Sequence, residues 1–348
     1  MKALVMRGPG DYKVEEVAKP DCPSNGVLIK VIGCGLCGSD LRILKHGKDT
    51  ISYPHTTGHE VSGEIVEVGG QYNGIYEIGD QLAIAPIVYC GKCEFCRTGE
   101  YEFCNNYKEI GQHWSGGFAE YMAIPEESLN LGVIQKVPED LDPIIASVSE
   151  PISSCVNAQE KGDIGFGDTV VIIGAGPIGC IHASLAKARG AEKVITSDIN
   201  EERLEMTKEF GADITINAAE KDLVEEVMSL TNNMGVEVVI TANPVPMTQV
   251  QAVNMAKKGG RIILFGGLPP KDSKPGIDTN IVHYRGLQLI GTSIFSPKHN
   301  YQALDLLKKG KIPGEKLVTH RLPLKDFKKG VELAESGEAL KLVFMPNK

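Results

Sequence analysis

The stretch Val170-Val171-Ile172-Ile173-Gly174-Ala175-Gly176-Pro177-Ile178-Gly179 constrains the fold more than any other part of the chain. A short apolar run enters the pattern G-x-G-x-x-G, and a helix-length amphipathic segment, 177–189, follows it. The three glycines alone are a weak signal. Between a buried strand and a helix they read as the turn that cradles a dinucleotide pyrophosphate. Gly174 permits the tight turn. Gly176 lets an anion approach the backbone where the free N–H groups of a helix N-terminus point. Gly179 lets helix and strand pack closely. Asp198 ends the next strand-like run, at the spacing where a carboxylate accepts hydrogen bonds from ribose hydroxyls. It would repel a 2′-phosphate, so NAD is expected over NADP. Arg203 reads either as a residue that accommodates such a phosphate or as a helix surface charge. The expected cofactor contacts are Gly174, Gly176, Pro177, Ile178, Gly179, Asp198 and Arg203.

The alternation around this turn repeats. Strand-like runs at 169–174, 193–197, 214–217, 236–241, 261–266 and 287–291 are separated by helical segments at 177–189, 201–210, 221–230 and 247–257. Such alternation means βαβ units and a parallel sheet, and six strands complete a doubly wound dinucleotide fold. Before about residue 143 the texture differs. Short Val-, Ile- and Gly-rich strands, such as 27–33, 61–69 and 81–85, occur with little helical periodicity. Beyond 291 come helical segments near 301–309 and 326–336, then a short apolar run at 340–345. The chain has 348 residues, too many for one ordinary core, so two domains are expected.

No basic block or stripe interrupts a net charge of −9, which argues against a nucleic-acid partner. No apolar run approaches the roughly 18 residues that suggest a membrane span. The opening MKALVMRGPGDYKVEE turns polar too soon for a secretory signal. A reducing, cytoplasmic compartment is the expectation.

In such a compartment a tight cysteine cluster signals metal more often than disulfides. Tyr89 to Cys104 reads YCGKCEFCRTGEYEFC and holds four of the nine cysteines. Cys90, Cys93, Cys96 and Cys104 are separated by two, two and seven residues. Two-residue gaps let successive sulfurs turn inward on one ion, and four thiolates complete a closed tetrahedral zinc shell. A closed shell has no place for substrate, so this zinc is expected to be structural. Lys92 and Arg97 lie within the loop to offset its charge. The plainer alternative is four reduced thiols in a flexible loop; an iron–sulfur cluster is chemically possible, but nothing else suggests a redox relay.

A second constellation lies in the strand-rich half. Cys37-Gly38-Ser39-Asp40 and Gly58-His59-Glu60 are there, and Glu150-Pro151 sits at its border. Taken singly, Cys37 reads as a buried thiol and His59 as a core histidine. Together they offer one soft ligand, one imidazole and two carboxylates, the incomplete shell of a catalytic zinc.

With these residues in place, the chain resembles the zinc-containing medium-chain alcohol dehydrogenases, in particular the polyol (sorbitol-like) branch. The resemblance covers essentially the whole chain. It rests on GCGLCGSDLR, TTGHEVSGEIVEVG, the four-cysteine loop, GGFAEY at 116–121, SEPISSCVNA and GAGPIG, in that order. It implies an α/β protein in which a GroES-like β-barrel catalytic domain, 1–150 and 292–348, receives a Rossmann NAD-binding domain at 151–291. It also implies an active-site cleft between them, and homodimers or homotetramers formed through Rossmann edge strands. Carried over residue by residue, Cys37 and His59 match zinc ligands. Glu60 and Glu150 match two carboxylates of which one or both bind, directly or through water. Ser39 matches the hydroxyl that takes the proton from the alcohol. Two zincs per chain and NAD are the implied cofactors, with a small alcohol or polyol as substrate. The chemistry explains the set, because hydride leaves an alkoxide far more readily than an alcohol. Zinc lowers the pKa of bound water from about 15.7 to about 7, and an alcohol acidified alike gains roughly 12 kcal/mol.

Departures from the pattern bear on substrate. Arg42 stands where many relatives carry the histidine that continues the proton relay, and arginine does not titrate usefully near neutral pH. It reads as a structural ion pair, with Asp40 the nearest partner, or as a contact for an anionic group such as a substrate phosphate. Ile43 replaces a common aromatic, and Ile294-Phe295 stands where the branch often has Arg-Tyr, which argues against plain sorbitol. The segment 280–285, NIVHYR, resembles a sub-branch acting on sugar alcohols, their phosphates and cyclic polyols. His113 and Trp114 read equally as pocket walls or surface loop, and Tyr101 and Lys298 are weaker candidates. The expected activity is NAD-linked oxidation of a secondary alcohol of a polyol or polyol phosphate. The alternatives are an amino-alcohol dehydrogenase of the L-threonine 3-dehydrogenase type and a non-catalytic relative.

Overall fold

The computed structural model describes residues 1–348. Two compact units emerge. One comprises Met1–Ser153, Phe295–Gly310 and Gly314–Lys348; the other comprises Ser154–Ile294 and Lys311–Pro313. The breaks fall three residues beyond the expected 150 and 292. Helix Ser149–Lys161 runs through the first break, so no turn or change of composition marks it.

The second unit is built on a six-stranded parallel sheet. Its spatial order is Ile214–Asn217, Lys193–Asp198, Thr169–Ile173, Val236–Thr241, Ala256–Leu264 and Gln288–Gly291. In chain order that is 3-2-1-4-5-6, the doubly wound arrangement. Val170, Val171 and Ile172 are fully buried, as a strand covered by helices on both faces requires. Helices Pro177–Ala188, Glu201–Lys208, Leu223–Leu230 and Pro246–Met255 occupy the expected segments. The segment 280–285 lies in helix Thr279–Arg285, which the apolar pattern had not marked. The Asp278 carboxylate caps it by accepting from Asn280 N–H at 2.8 Å.

The first unit is a curled, mostly antiparallel sheet. Its order is Val318–Pro323, Lys341–Met345, Val27–Gly35, Glu60–Val68, Gln81–Val88 and Lys108–Glu109. Tyr121–Ile124 also pairs with Val27–Gly35, and Gly132–Lys136 with Gln81–Val88. Val318–Pro323 was not foreseen, because two partly exposed polar residues, His320 and Arg321, interrupt its alternation. The C-terminal segment returns to this unit for a packing reason. The rings of Phe327 and Phe344 stack at 4.7 Å, and Phe118 meets them edge-on at 5.1 and 5.7 Å. All three are fully buried. Three such side chains bury several hundred Å² of apolar surface. That return brings the strand Lys341–Met345 beside Val27–Gly35, whose end leads to Cys37.

Candidate active site

Cys37 caps the helix Gly38–His46, and His59 precedes the strand Glu60–Val68. The ligand atoms of Cys37, His59 and Glu60 lie within 4.8 Å of one another. Glu150, at the second position of helix Ser149–Lys161, falls outside that group. Its helix start is pinned by Asn300, whose amide donates to Ser149 Oγ and Ser153 Oγ at 3.1 Å each. Burial pushes the Glu150 carboxyl up to about 7; His59 draws it down, and Glu60 and Asp40 raise it further.

Asp40, whose role no motif spacing announces, organises this cluster. It is 1% exposed. Its Oδ1 lies 3.1 Å from His59 Nδ1, and its Oδ2 accepts from the Cys37 N–H at 3.1 Å. A carboxylate on Nδ1 fixes the ring and leaves Nε2 as the ligand atom. Ser39 Oγ is 3.3 Å from that Nε2. Burial opposes the imidazolium, but Asp40 and Cys37 hold the ring's pKa well above its ordinary value. Asp40 is therefore not paired with Arg42. Arg42 is exposed and makes no ion pair, which removes the structural-pair reading. It stands three positions after Ser39 in the same helix, where i and i+3 share a face.

Glu60 is fully buried, and its Oε1 accepts from Lys341 Nζ at 2.6 Å. Its Oε2 is buried with no partner. A Cβ at position 35 would lie 2.0 Å from that oxygen, so only Gly35 leaves room for the carboxylate. A soft sulfur, an oriented imidazole and a carboxylate, with ligand atoms within 4.8 Å of one another and one carboxylate oxygen orphaned, fit a zinc ion.

The four-cysteine loop also fits one. Its sulfurs lie within 4.8 Å of one another, with Cys90–Cys96 at 4.0 Å and Cys93–Cys104 at 3.9 Å. A tetrahedron with Zn–S bonds of about 2.3 Å has edges of about 3.8 Å. None of the nine cysteines is in a disulfide. Backbone N–H groups lower the Cys93 thiol to about 6, whereas burial pushes Cys96 up to about 12. Lys92 and Arg97 are exposed at the rim.

In the second unit the glycine turn behaves as its pattern requires. Gly174 has φ of +118°, and a Cβ on Gly179 would sit 1.8 Å from Gly174 O. A Cβ on Gly176 would meet nothing within 4 Å, so this backbone faces open space. Pro177 begins the following helix, with Ile178 behind it. Asp198 accepts from Ala175 N–H at 2.7 Å, Ile199 N–H at 2.8 Å and Asn200 N–H at 3.0 Å. Arg203 is half-buried rather than a free surface charge, and its Nε is buried without a partner. Ile294 holds φ of +61°, unusual for a β-branched residue, with its carbonyl accepting from Asn157 at 2.9 Å. With Ser154, Phe265, Thr292 and Ser293 it lines a cavity of about 210 Å³.

The weaker candidates part company. Trp114 lines a cavity of about 500 Å³ with Val5, Val17, Pro23 and His55, none of whose walls is Cys37, His59 or Glu60. His113 is exposed, and its Nδ1 accepts from Glu109 N–H. Tyr101 packs against Tyr89 at 5.1 Å, and Lys298 is exposed. No helix is long and apolar enough to cross a membrane.

Comparison with known proteins agrees with this architecture. Residues 23–136 match the alcohol dehydrogenase GroES-like domain, and residues 177–309 match the zinc-binding dehydrogenase family. The L-threonine 3-dehydrogenase of Pyrococcus abyssi is 36% identical, over 95% of this chain and 94% of its own. The sorbitol dehydrogenase of Halalkalibacterium halodurans is 33% identical, over 99% of each. A protein described as a zinc-binding dehydrogenase of Sinorhizobium meliloti 1021, bound to NADP, superposes with a TM-score of 0.91 at 31% identity, over 99% of each chain. A nicotinamide-dependent, zinc-binding oxidoreductase is the class that this fold and these clusters define. The chain belongs to the zinc-containing medium-chain alcohol dehydrogenase family, in its polyol branch.

Proposed function

We propose that this chain oxidises a secondary alcohol of a polyol or polyol phosphate, with NAD as hydride acceptor and two zincs. The observation that carries the reading is the cluster of Cys37, His59 and Glu60 with Ser39 Oγ 3.3 Å from His59 Nε2. Cys37 and His59 hold the catalytic ion, with Glu60 and Glu150 as the carboxylates available to it. Bound there, zinc supplies the Lewis acidity that favours the alkoxide. Ser39 receives the proton of the alcohol. Arg42, exposed and unpaired on the same helix, suits an anionic substituent on the substrate. Cys90, Cys93, Cys96 and Cys104 hold the structural ion. Asp198 favours NAD, since a carboxylate beside the ribose repels a 2′-phosphate. Half-buried Arg203, and the NADP bound by the Sinorhizobium relative, mark the opposing arrangement.

A second reading, threonine oxidation, is favoured by the 36% identity to L-threonine 3-dehydrogenases. It uses Arg42 for a carboxylate instead of a phosphate. The deciding experiment is NADH production with polyols, their phosphates, inositols and L-threonine. Turnover of the phosphates or polyols with none on threonine supports the first reading; the reverse selects the second. No reduction of NAD or NADP with any alcohol would end both. A cytoplasmic homo-oligomer joined through the edge strand Gln288–Gly291 completes the reading. Leu289 on that strand and Tyr284 before it are 41% and 77% exposed.

A further inference from the structure

Lys341 is the least expected polar residue near the candidate ion site. It is 5% exposed, and Glu60 beside it is 0% exposed. Its ammonium makes two hydrogen bonds, to Glu60 Oε1 at 2.6 Å and to Leu36 O at 3.0 Å. Leu36 N–H in turn donates to Leu342 O at 2.9 Å. One cation from the C-terminal strand thus ties the segment entering Cys37 to the carboxylate that follows His59. It is 281 residues from Glu60 in sequence.

Glu60 shows two faces. Oε1 is taken by the ammonium, Oε2 is buried and unpaired, and a Glu60 carboxylate oxygen lies within 4.8 Å of the other two ligand atoms. An ion and an ammonium compete for the same carboxylate charge. We infer that Lys341 is a positioning residue that holds Glu60 back from full ligation. An ion at Cys37 and His59 thereby keeps a coordination position for substrate. This rests on the proposal that Cys37 and His59 hold the catalytic ion. Gly35 leaves open the space that Glu60 Oε2 occupies.

The test is Lys341→Gln, which removes the charge and keeps a donor for Leu36 O. Protein is produced with cobalt in the medium, so that the ion enters during folding. A Cys37→Ala variant supplies the spectrum of the four-cysteine loop alone. Glu60 should join the ion in Lys341→Gln, so the visible cobalt bands weaken as coordination number rises. The ion should be lost to a chelator about tenfold more slowly, within the range of second-shell effects. The thermal midpoint should fall in ion-free protein but not in loaded protein, because the ion replaces the missing partner of Glu60. The double variant Glu60→Gln/Lys341→Gln buries no lone charge and should regain the wild-type spectrum and retention. Lys341→Arg should behave as wild type.

Unchanged spectrum and retention in Lys341→Gln, with equal midpoint loss loaded and unloaded, would make Lys341 a structural ion-pair partner only and overturn the inference. If ion-free Lys341→Gln does not fold, the loaded spectrum and the double variant still decide. Wild-type protein that takes up cobalt only at the four cysteines would instead sink the functional reading itself.

Discussion

Asp40→Asn tests how the site is oriented. The substitution keeps size and shape but leaves one oxygen where two are used. Oδ1 faces His59 Nδ1 and Oδ2 accepts from Cys37 N–H. If the asparagine oxygen faces His59, its NH₂ meets the Cys37 N–H, donor against donor. If the NH₂ faces His59, Nδ1 must accept, the proton moves to Nε2, and that nitrogen can no longer bind an ion. The second arrangement keeps both bonds but blocks the ligand nitrogen; the first forfeits one hydrogen bond at a site 1% exposed, a cost of about 1–3 kcal/mol. At about 1.4 kcal/mol per tenfold, that is roughly 5- to 150-fold in ion affinity. It agrees with the 10- to 100-fold commonly lost when a ligand's outer partner is removed. The assay is competition for zinc against a chromophoric chelator, with the metal count per chain read alongside. Asp40→Asn should drop from two zincs to one under conditions where the parent keeps both. Activity should return as zinc is raised if His59 keeps its tautomer, and stay low if it does not. Two retained zincs with unchanged kcat and KM would refute the claim that this carboxylate orients His59.

Cys93→Ser should lower the thermal midpoint and leave one zinc per chain, while the surviving folded fraction keeps its KM; loss of activity with an unchanged midpoint would reverse the roles of the two clusters. Asp198→Ala should weaken NAD about 10- to 100-fold, the worth of a charge-assisted hydrogen bond, and weaken NADP far less; unchanged preference removes that residue from cofactor selection. Gly179→Ala places a methyl 1.8 Å from Gly174 O and should abolish cofactor binding in titrations of NADH fluorescence; tight binding would mean that the turn can relax. His182 is fully buried, and burial holds its pKa down to about 3. On acidification the unfolded chain therefore takes the proton first, so stability falls as pH drops from about 6.5 toward 3. The loss is on the order of 5 kcal/mol across that window, at about 1.36 kcal/mol per unit. His182→Gln should flatten the slope of unfolding free energy against pH between 6 and 4, followed by circular dichroism; an unchanged slope would assign acid lability elsewhere.

Much of the second unit was legible because its information is local. Each strand and helix of the parallel sheet carries its own periodicity, and the glycine turn is complete within ten residues. The four cysteines are likewise close enough in sequence for spacing alone to suggest a common ion. The first unit was legible only in part. Val318–Pro323 pairs in parallel with Lys341–Met345 through contacts that its own alternation does not announce. Trp114 reads equally as a pocket wall or a surface loop, and it lines a cavity whose walls include none of Cys37, His59 and Glu60. From sequence Arg42 reads as an ion-pair residue with Asp40 nearest or as an anion contact, and only the structure shows Asp40 spent on His59 and on the Cys37 N–H.

The sequence by itself determined the doubly wound sheet, the dinucleotide turn with Asp198 at its spacing, and which cysteines stand together. These follow from apolar periodicity, glycine sterics and short ligand spacing, all of which act over a few residues. Tertiary structure decided that Asp40 orients His59, that Glu150 lies outside the three-ligand group, and that a lysine near the C-terminus reaches Glu60. A buried lysine and a surface lysine are the same letter. Only the sheet that places Lys341 beside the segment entering Cys37 gives its charge a partner 281 residues away.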